Sequence, residues 1–141
     1  MMMTEAQLPM VALATMNDTH LEELILINKI SAAIAGRDRG QVSRLLEALA
    51  THTVGHFGGE EAMMREGGFP PYLMHRAEHE RALQEMRMQL LIWNDRHDFD
   101  VLAQYIDETL PEWIVSHIRS MDTVTANYLV HGVSSCGGGT C

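Results

Sequence analysis

The sequence predicts an all-α protein folded as an up-down-up-down four-helix bundle. Apolar residues recur at helical spacing almost without interruption from Asn17 to Val130, and no stretch alternates as a strand would. Turn-forming residues cut this pattern into four long segments with short connections, the arrangement of antiparallel neighbours in a bundle. The 141 residues make one domain's worth of chain, with the bundle assigned to residues 1–133 and a Gly/Ser/Cys tail to 134–141.

The first segment runs from about Asn17 to Ala35. Asn17, Asp18 or Thr19 can cap it, Leu24, Ile27, Ile30 and Ile34 form its apolar stripe, and Gly36 stops it. The second, about Arg39 to Glu66, carries Val42, Leu45, Leu49, His56, Glu60 and Met63 on one stripe and ends at Gly67-Gly68. Gly55, Gly58 and Gly59 inside it each cost about 1 kcal/mol against alanine, which predicts either close helix approach or room beside a ligand. Pro70-Pro71 opens the third segment, about Pro71 to Asn94, with His75, His79, Leu83, Met86 and Leu90 on its stripe. After the turn Asp95-Arg96-His97-Asp98, the fourth runs from about Phe99 to His131. Pro111 predicts a break or kink near Thr109-Leu110.

Composition narrows the function classes. Nineteen acidic against ten basic side chains give a formal net charge of −9. With no cluster of Lys and Arg, this argues against nucleic acid or an anionic membrane surface as partner. No apolar run approaches the length of a membrane span, so no membrane insertion is expected. The N-terminus has neither a basic nor an apolar signal region, which makes the cytoplasm the expected location. Cys136 and Cys141 both fall in the tail, where they cannot cross-link the fold, so the tail reads as flexible and reduced. Eleven methionines, Met63, Met64, Met86 and Met88 among them, read as core filling.

The eight histidines carry the chemistry. His20 lies on the first helix, His56 with Glu60 on the second, His75 with His79 on the third, and His117 with Asp122 on the fourth. Residues four apart share a helix face, so His56/Glu60 and His75/His79 can each aim two ligands inward. Five imidazoles and two carboxylates on core stripes would cost several kcal/mol each without partners, and a metal is the natural compensating charge. Asp122 is rotated about 140° from His117 on an ideal helix and reaches the same site only by a longer side-chain path or a π-bulge. His52 sits one turn before His56 as a boundary histidine, with an eighth ligand or an outer donor as the alternatives. Glu23 could orient His20, Glu61 points away from Glu60 into solvent, and His97 and His131 face solvent.

His20, His56-Phe57-x-x-Glu60-Glu61, His75-x-x-x-His79 and His117-Ile118-x-x-x-Asp122 resemble the ligand set of the hemerythrin family, most closely its single-domain bacterial members. The resemblance covers roughly Met16 to Tyr128 and includes Gly68-Phe69-Pro70 before the third helix and Trp113 one turn before His117. It departs at the N-terminus: no Trp precedes Trp93, and Asn17 stands where many members have an acidic residue.

The resemblance implies a non-haem, oxo- or hydroxo-bridged di-iron centre in the bundle core that binds dioxygen reversibly. His75, His79 and His117 would hold one Fe ion and His20 and His56 the other, with Glu60 and Asp122 bridging. Five imidazoles, two bridging carboxylates and one bridging oxygen fill eleven of the twelve positions of two six-coordinate irons, leaving one open on the two-histidine iron for O₂. Leu24, Phe57, Ile114, Ile118 and Met121 are candidate apolar walls around it.

The expected role is thus O₂ carriage, storage or delivery by a monomer, with a protein acceptor of O₂ as a candidate partner, rather than an enzyme. The alternatives are oxygen or redox sensing through a partner, and di-iron oxidase, peroxidase or iron-storage activity. The carboxylate-rich di-iron class takes a Glu from each of two helices and Glu-x-x-His from the others. Five His to two carboxylates differs from that pattern and favours binding oxygen over activating it.

Overall fold

The computed structural model describes residues 3–132, so Cys136, Cys141 and the tail lie outside the described residues. Four long helices carry the fold: α1, Ala14–Ala35; α2, Arg39–Glu66; α3, Tyr72–Arg96; and α4, residues 99–131. Each packs on its sequence neighbour and α4 closes against α1, giving the expected antiparallel bundle. Among the described residues there are no strands, and no helix is long and apolar enough to cross a membrane.

Helix ends follow local chemistry. Asp38 caps α2 by accepting from Gln41 N, and Asp98 caps α4 by accepting from the backbone N–H groups of Asp100 and Val101. His97 terminates α3 in a left-handed conformation, φ 50°, and Gly68 takes φ 64° in the turn after α2. Helix α1 corrects the expected start: it begins at Ala14, and none of Asn17, Asp18 and Thr19 is its cap. Asn17 instead closes the preceding loop, donating to Val11 O and accepting from Val11 N, both at 2.9 Å. A short turn, Glu5–Gln7, brings buried Met3 and Leu8 onto the core, so the N-terminal segment docks without a tryptophan.

Of the break or kink expected near Thr109-Leu110, helix α4 shows no break. It continues through two π-helical stretches, Tyr105–Thr109 and Ile118–Asp122. The first directly precedes Pro111, where the wider turn takes up the missing N–H and the ring's bulk without ending the helix. The second ends on Asp122.

The core holds Leu24, Ile27, Ile30 and Ile34 of α1 with Val42, Leu46 and Leu49 of α2, Met86 and Trp93 of α3, and Leu102, Ile106, Leu110, Ile114 and Ile118 of α4. On α2 the buried stripe is rotated from the expected one: Leu46, Thr53, Phe57 and Met64 are buried while Leu45 and Met63 are half-buried. The reading of the α2 glycines is also corrected. Gly55, Gly58 and Gly59 lie on its exposed face, and a Cβ at any of them would meet nothing within 4 Å.

Candidate metal centre

The four helices bring His20, His56, Glu60, His75, His79, His117 and Asp122 together in the interior, on the stripes that elsewhere hold Leu, Ile and Met. Six of the seven are at most 5% exposed, and His56 is half-buried with its side chain turned inward. Ligand-type atoms of Glu60, His75, His79, His117 and Asp122 all lie within 4.8 Å of one another, and those of His20, His56 and Glu60 form a second such group sharing Glu60. The π-turn Ile118–Asp122 adds the residue needed to return Asp122 to the face of His117, placing its Oδ1 3.2 Å from His117 Nε2 and 3.1 Å from His75 Nε2.

The outer ring nitrogens are largely spoken for. His56 Nδ1 lies 2.8 Å from Glu23 Oε2, His79 Nδ1 2.9 Å from Glu61 Oε2, and His75 Nδ1 2.8 Å from the hydroxyl of fully buried Thr125. A ring nitrogen facing a carboxylate donates to it, so in neutral His56 and His79 the Nε2 atom carries the lone pair and faces inward.

His75 Nε2 and His117 Nε2 pair with each other at 3.0 Å, but most of the other inward atoms are left unsatisfied. His20 Nε2 is 3.0 Å from Asp122 Oδ2 and His79 Nε2 3.2 Å from Glu60 Oε1, but neither contact has hydrogen-bond geometry. Both oxygens of Asp122, Glu60 Oε1 and both nitrogens of His20 are buried without a partner. His56 Nε2 approaches Glu60 Oε2 at 2.6 Å, which for a neutral imidazole donating to Glu23 would set two acceptors face to face. Buried acceptors converging on a common centre need a cation between them. The donor set of imidazole and carboxylate therefore fits transition-metal ions.

The electrostatics agree. Burial pulls the His20 imidazole down, but the Asp122 and Glu60 carboxylates overcome it and raise it to about 9. His56 is likewise raised to about 10, with Glu23 and Glu60 outweighing burial. Burial pushes Glu60 and Asp122 up, and the surrounding histidines hold both well below the usual carboxylate range. Glu23 falls to about 2, because His52 and His56 outweigh its burial. The raised imidazoles favour their cationic form and the depressed carboxylates their anionic form, so the centre holds fixed negative charge that calls for positive charge beside it.

Aromatic rings wall the cluster. Phe57 stacks on His79 with ring centres 3.9 Å apart, and Trp113 on His117 at 4.5 Å. Leu24, Phe57, Ile114 and Ile118 are buried as expected of wall residues, and Met121 is half-buried.

Three expectations about surrounding residues change. Glu61 is half-buried rather than solvent-facing, and accepts from His79. Glu23 orients His56 and not His20. His97 is half-buried, 2.6 Å from an Arg39 nitrogen and edge-on to Trp93, while His131 is exposed. His52, 19% exposed, faces Glu23 at 3.4 Å, the outer position open to it from sequence. Thr125 carried no sequence signal beyond lying one turn after Asp122.

Residues 11–129 match the family described as Hemerythrin HHE cation binding domain. A bacteriohemerythrin of Aquifex aeolicus is 28% identical over 114 residues, 81% of this chain and 87% of the relative. Those of Ralstonia nicotianae and Methylococcus capsulatus are 32% and 31% identical, covering 69% and 75% of this chain and 69% and 79% of their own. The crystal structure of a wild-type hemerythrin superposes with a TM-score of 0.73 over 92% of this chain and 97% of that chain, at 23% identity, a likeness of fold. With the match running through all four helices and every residue of the buried cluster, the chain belongs to the hemerythrin family.

Proposed function

We propose that this protein binds dioxygen reversibly at a non-haem di-iron centre, with His75, His79 and His117 holding one iron, His20 and His56 the other, and Glu60 and Asp122 bridging. The observation that carries the reading is the set of buried, unpartnered acceptors on Glu60, Asp122, His20 and His79 converging between four helices. The bound irons would supply a redox-active, incompletely coordinated pair to which O₂ can add and from which it can leave. The relatives' name, bacteriohemerythrin, supports the same reading.

The chain's own residues would do the rest. Glu23, Glu61 and Thr125 hold three imidazoles with Nε2 inward, so the donors are in place before a cation arrives. Phe57, Trp113, Ile114 and Ile118 keep water from the interior, which disfavours loss of charged oxygen species. The five-to-two ratio of histidine to carboxylate supports a binding protein over an oxidase.

The test is a cycle followed by visible absorption: reduce the iron-loaded protein anaerobically, admit air, then remove the oxygen. Colour that appears and bleaches over repeated cycles is the expected result. Irreversible oxidation with consumption of oxygen at every turn would show an enzyme instead.

A further inference from the structure

The seven inward residues are not equally held. The group of Glu60, His75, His79, His117 and Asp122 brings five donors within reach of one point, whereas the group of His20, His56 and Glu60 brings three, with Asp122 Oδ2, 3.0 Å from His20 Nε2, as a fourth. In the larger group His79 is anchored by Glu61, His75 by Thr125, and His117 lies flat against Trp113. In the smaller group His56 is anchored by Glu23, but His20 Nδ1 is buried with no partner at all. Asn17, three residues earlier on α1, is committed to both backbone groups of Val11 and does not serve His20.

Resting on the metal-centre reading above, we infer that the two metal positions are unequal and fill in order, the five-donor position first, with His20 as the loose arm that closes the second. A site already organised spends less binding energy on ordering its ligands. Losing an outer hydrogen-bond partner typically weakens metal binding by about 10- to 100-fold. Fewer donors and one unanchored imidazole set the second position lower on both counts. The centre would then pass through a one-metal state during assembly, and lose the metal nearest His20 first on chelation.

Anaerobic titration of the metal-free, full-length protein with cobalt(II), followed by visible absorption, tests this. Two resolved steps are expected, the first about 10- to 100-fold tighter. His20→Ala should remove the second step and keep the first. Because truncation could also disturb folding, two milder variants read the positions separately: Glu23→Gln should weaken only the second step, and Glu61→Gln only the first. Two equivalents binding in one step, or both steps shifting together in Glu23→Gln and in Glu61→Gln, would overturn the inference while leaving the metal centre standing. Failure of the unaltered protein to bind cobalt would overturn both.

Discussion

His117 lies within α4 and His97 at the C-terminal cap of α3, and their surroundings separate them. His117 is 5% exposed, faces Asp122 and His75, and is pressed against Trp113. His97 caps α3 and touches Trp93 and Arg39. His117→Ala is expected to lose bound iron, measured as metal per chain, and His97→Ala to keep it. Loss of the edge-on ring contact with Trp93 should cost His97→Ala about 1 kcal/mol in denaturant unfolding. Equal iron losses in the two variants would contradict the assignment. At this scale the inward residues were legible from sequence because each sits on a helix face fixed by spacing along its own helix. Their outer partners were not, because they come from other helices. Glu61 points about 100° from Glu60 along α2, yet α3 lays His79 beside it, and Glu23 meets His56 only where α1 and α2 pack.

Helix α2 bears three glycines that the fold does not need. With nothing within 4 Å of a Cβ at Gly55, Gly58 or Gly59, alanine should stabilise each site by about 1 kcal/mol through helix propensity and the unfolded chain's entropy, without changing metal content. Gly67→Ala should do the opposite, since its Cβ would lie 2.9 Å from Leu129 Cδ2 and 3.2 Å from Met63 O. Thermal unfolding of the four variants checks both statements, and a lower midpoint for Gly55→Ala, Gly58→Ala and Gly59→Ala would contradict the first. The sequence poses the question of these glycines but cannot answer it, because exposure is a property of the packed bundle. On α4, by contrast, sequence geometry nearly determines the answer. A five-residue step from His117 to Asp122 calls for a longer side-chain path or a bulge if both are to reach one site, and a π-turn is there. Pro111 marks the place of the irregularity but not its form: a wider turn accommodates it as well as a break would.

The whole molecule is organised around a buried charge cluster, and this sets its response to pH. In the metal-free protein His20 and His56 are raised from about 6.5 to about 9 and about 10. Their contribution to stability is full below about 6.5 and lost as pH climbs through those values. Glu23, Glu60 and Asp122 are depressed, so their contribution is present above about 4.5 and lost as pH falls, for Glu23 through about 2. Denaturant unfolding of the metal-free protein should show a higher midpoint near pH 6 than near pH 10. The metal-loaded protein should lose much less over that span, since bound metal requires neutral imidazoles. A metal-free protein that gains stability toward pH 10 would refute this picture.

That seven polar side chains from four helices occupy a core is the central feature of the molecule, and a pair of metal ions is the account offered for it. Crystals of iron-loaded protein, measured on both sides of the iron absorption edge, test it most directly. The account predicts two anomalous peaks inside the bundle, one among His75, His79 and His117, the other beside His20 and His56, with Glu60 and Asp122 between them. An empty interior, or a single peak outside this cluster, would contradict it.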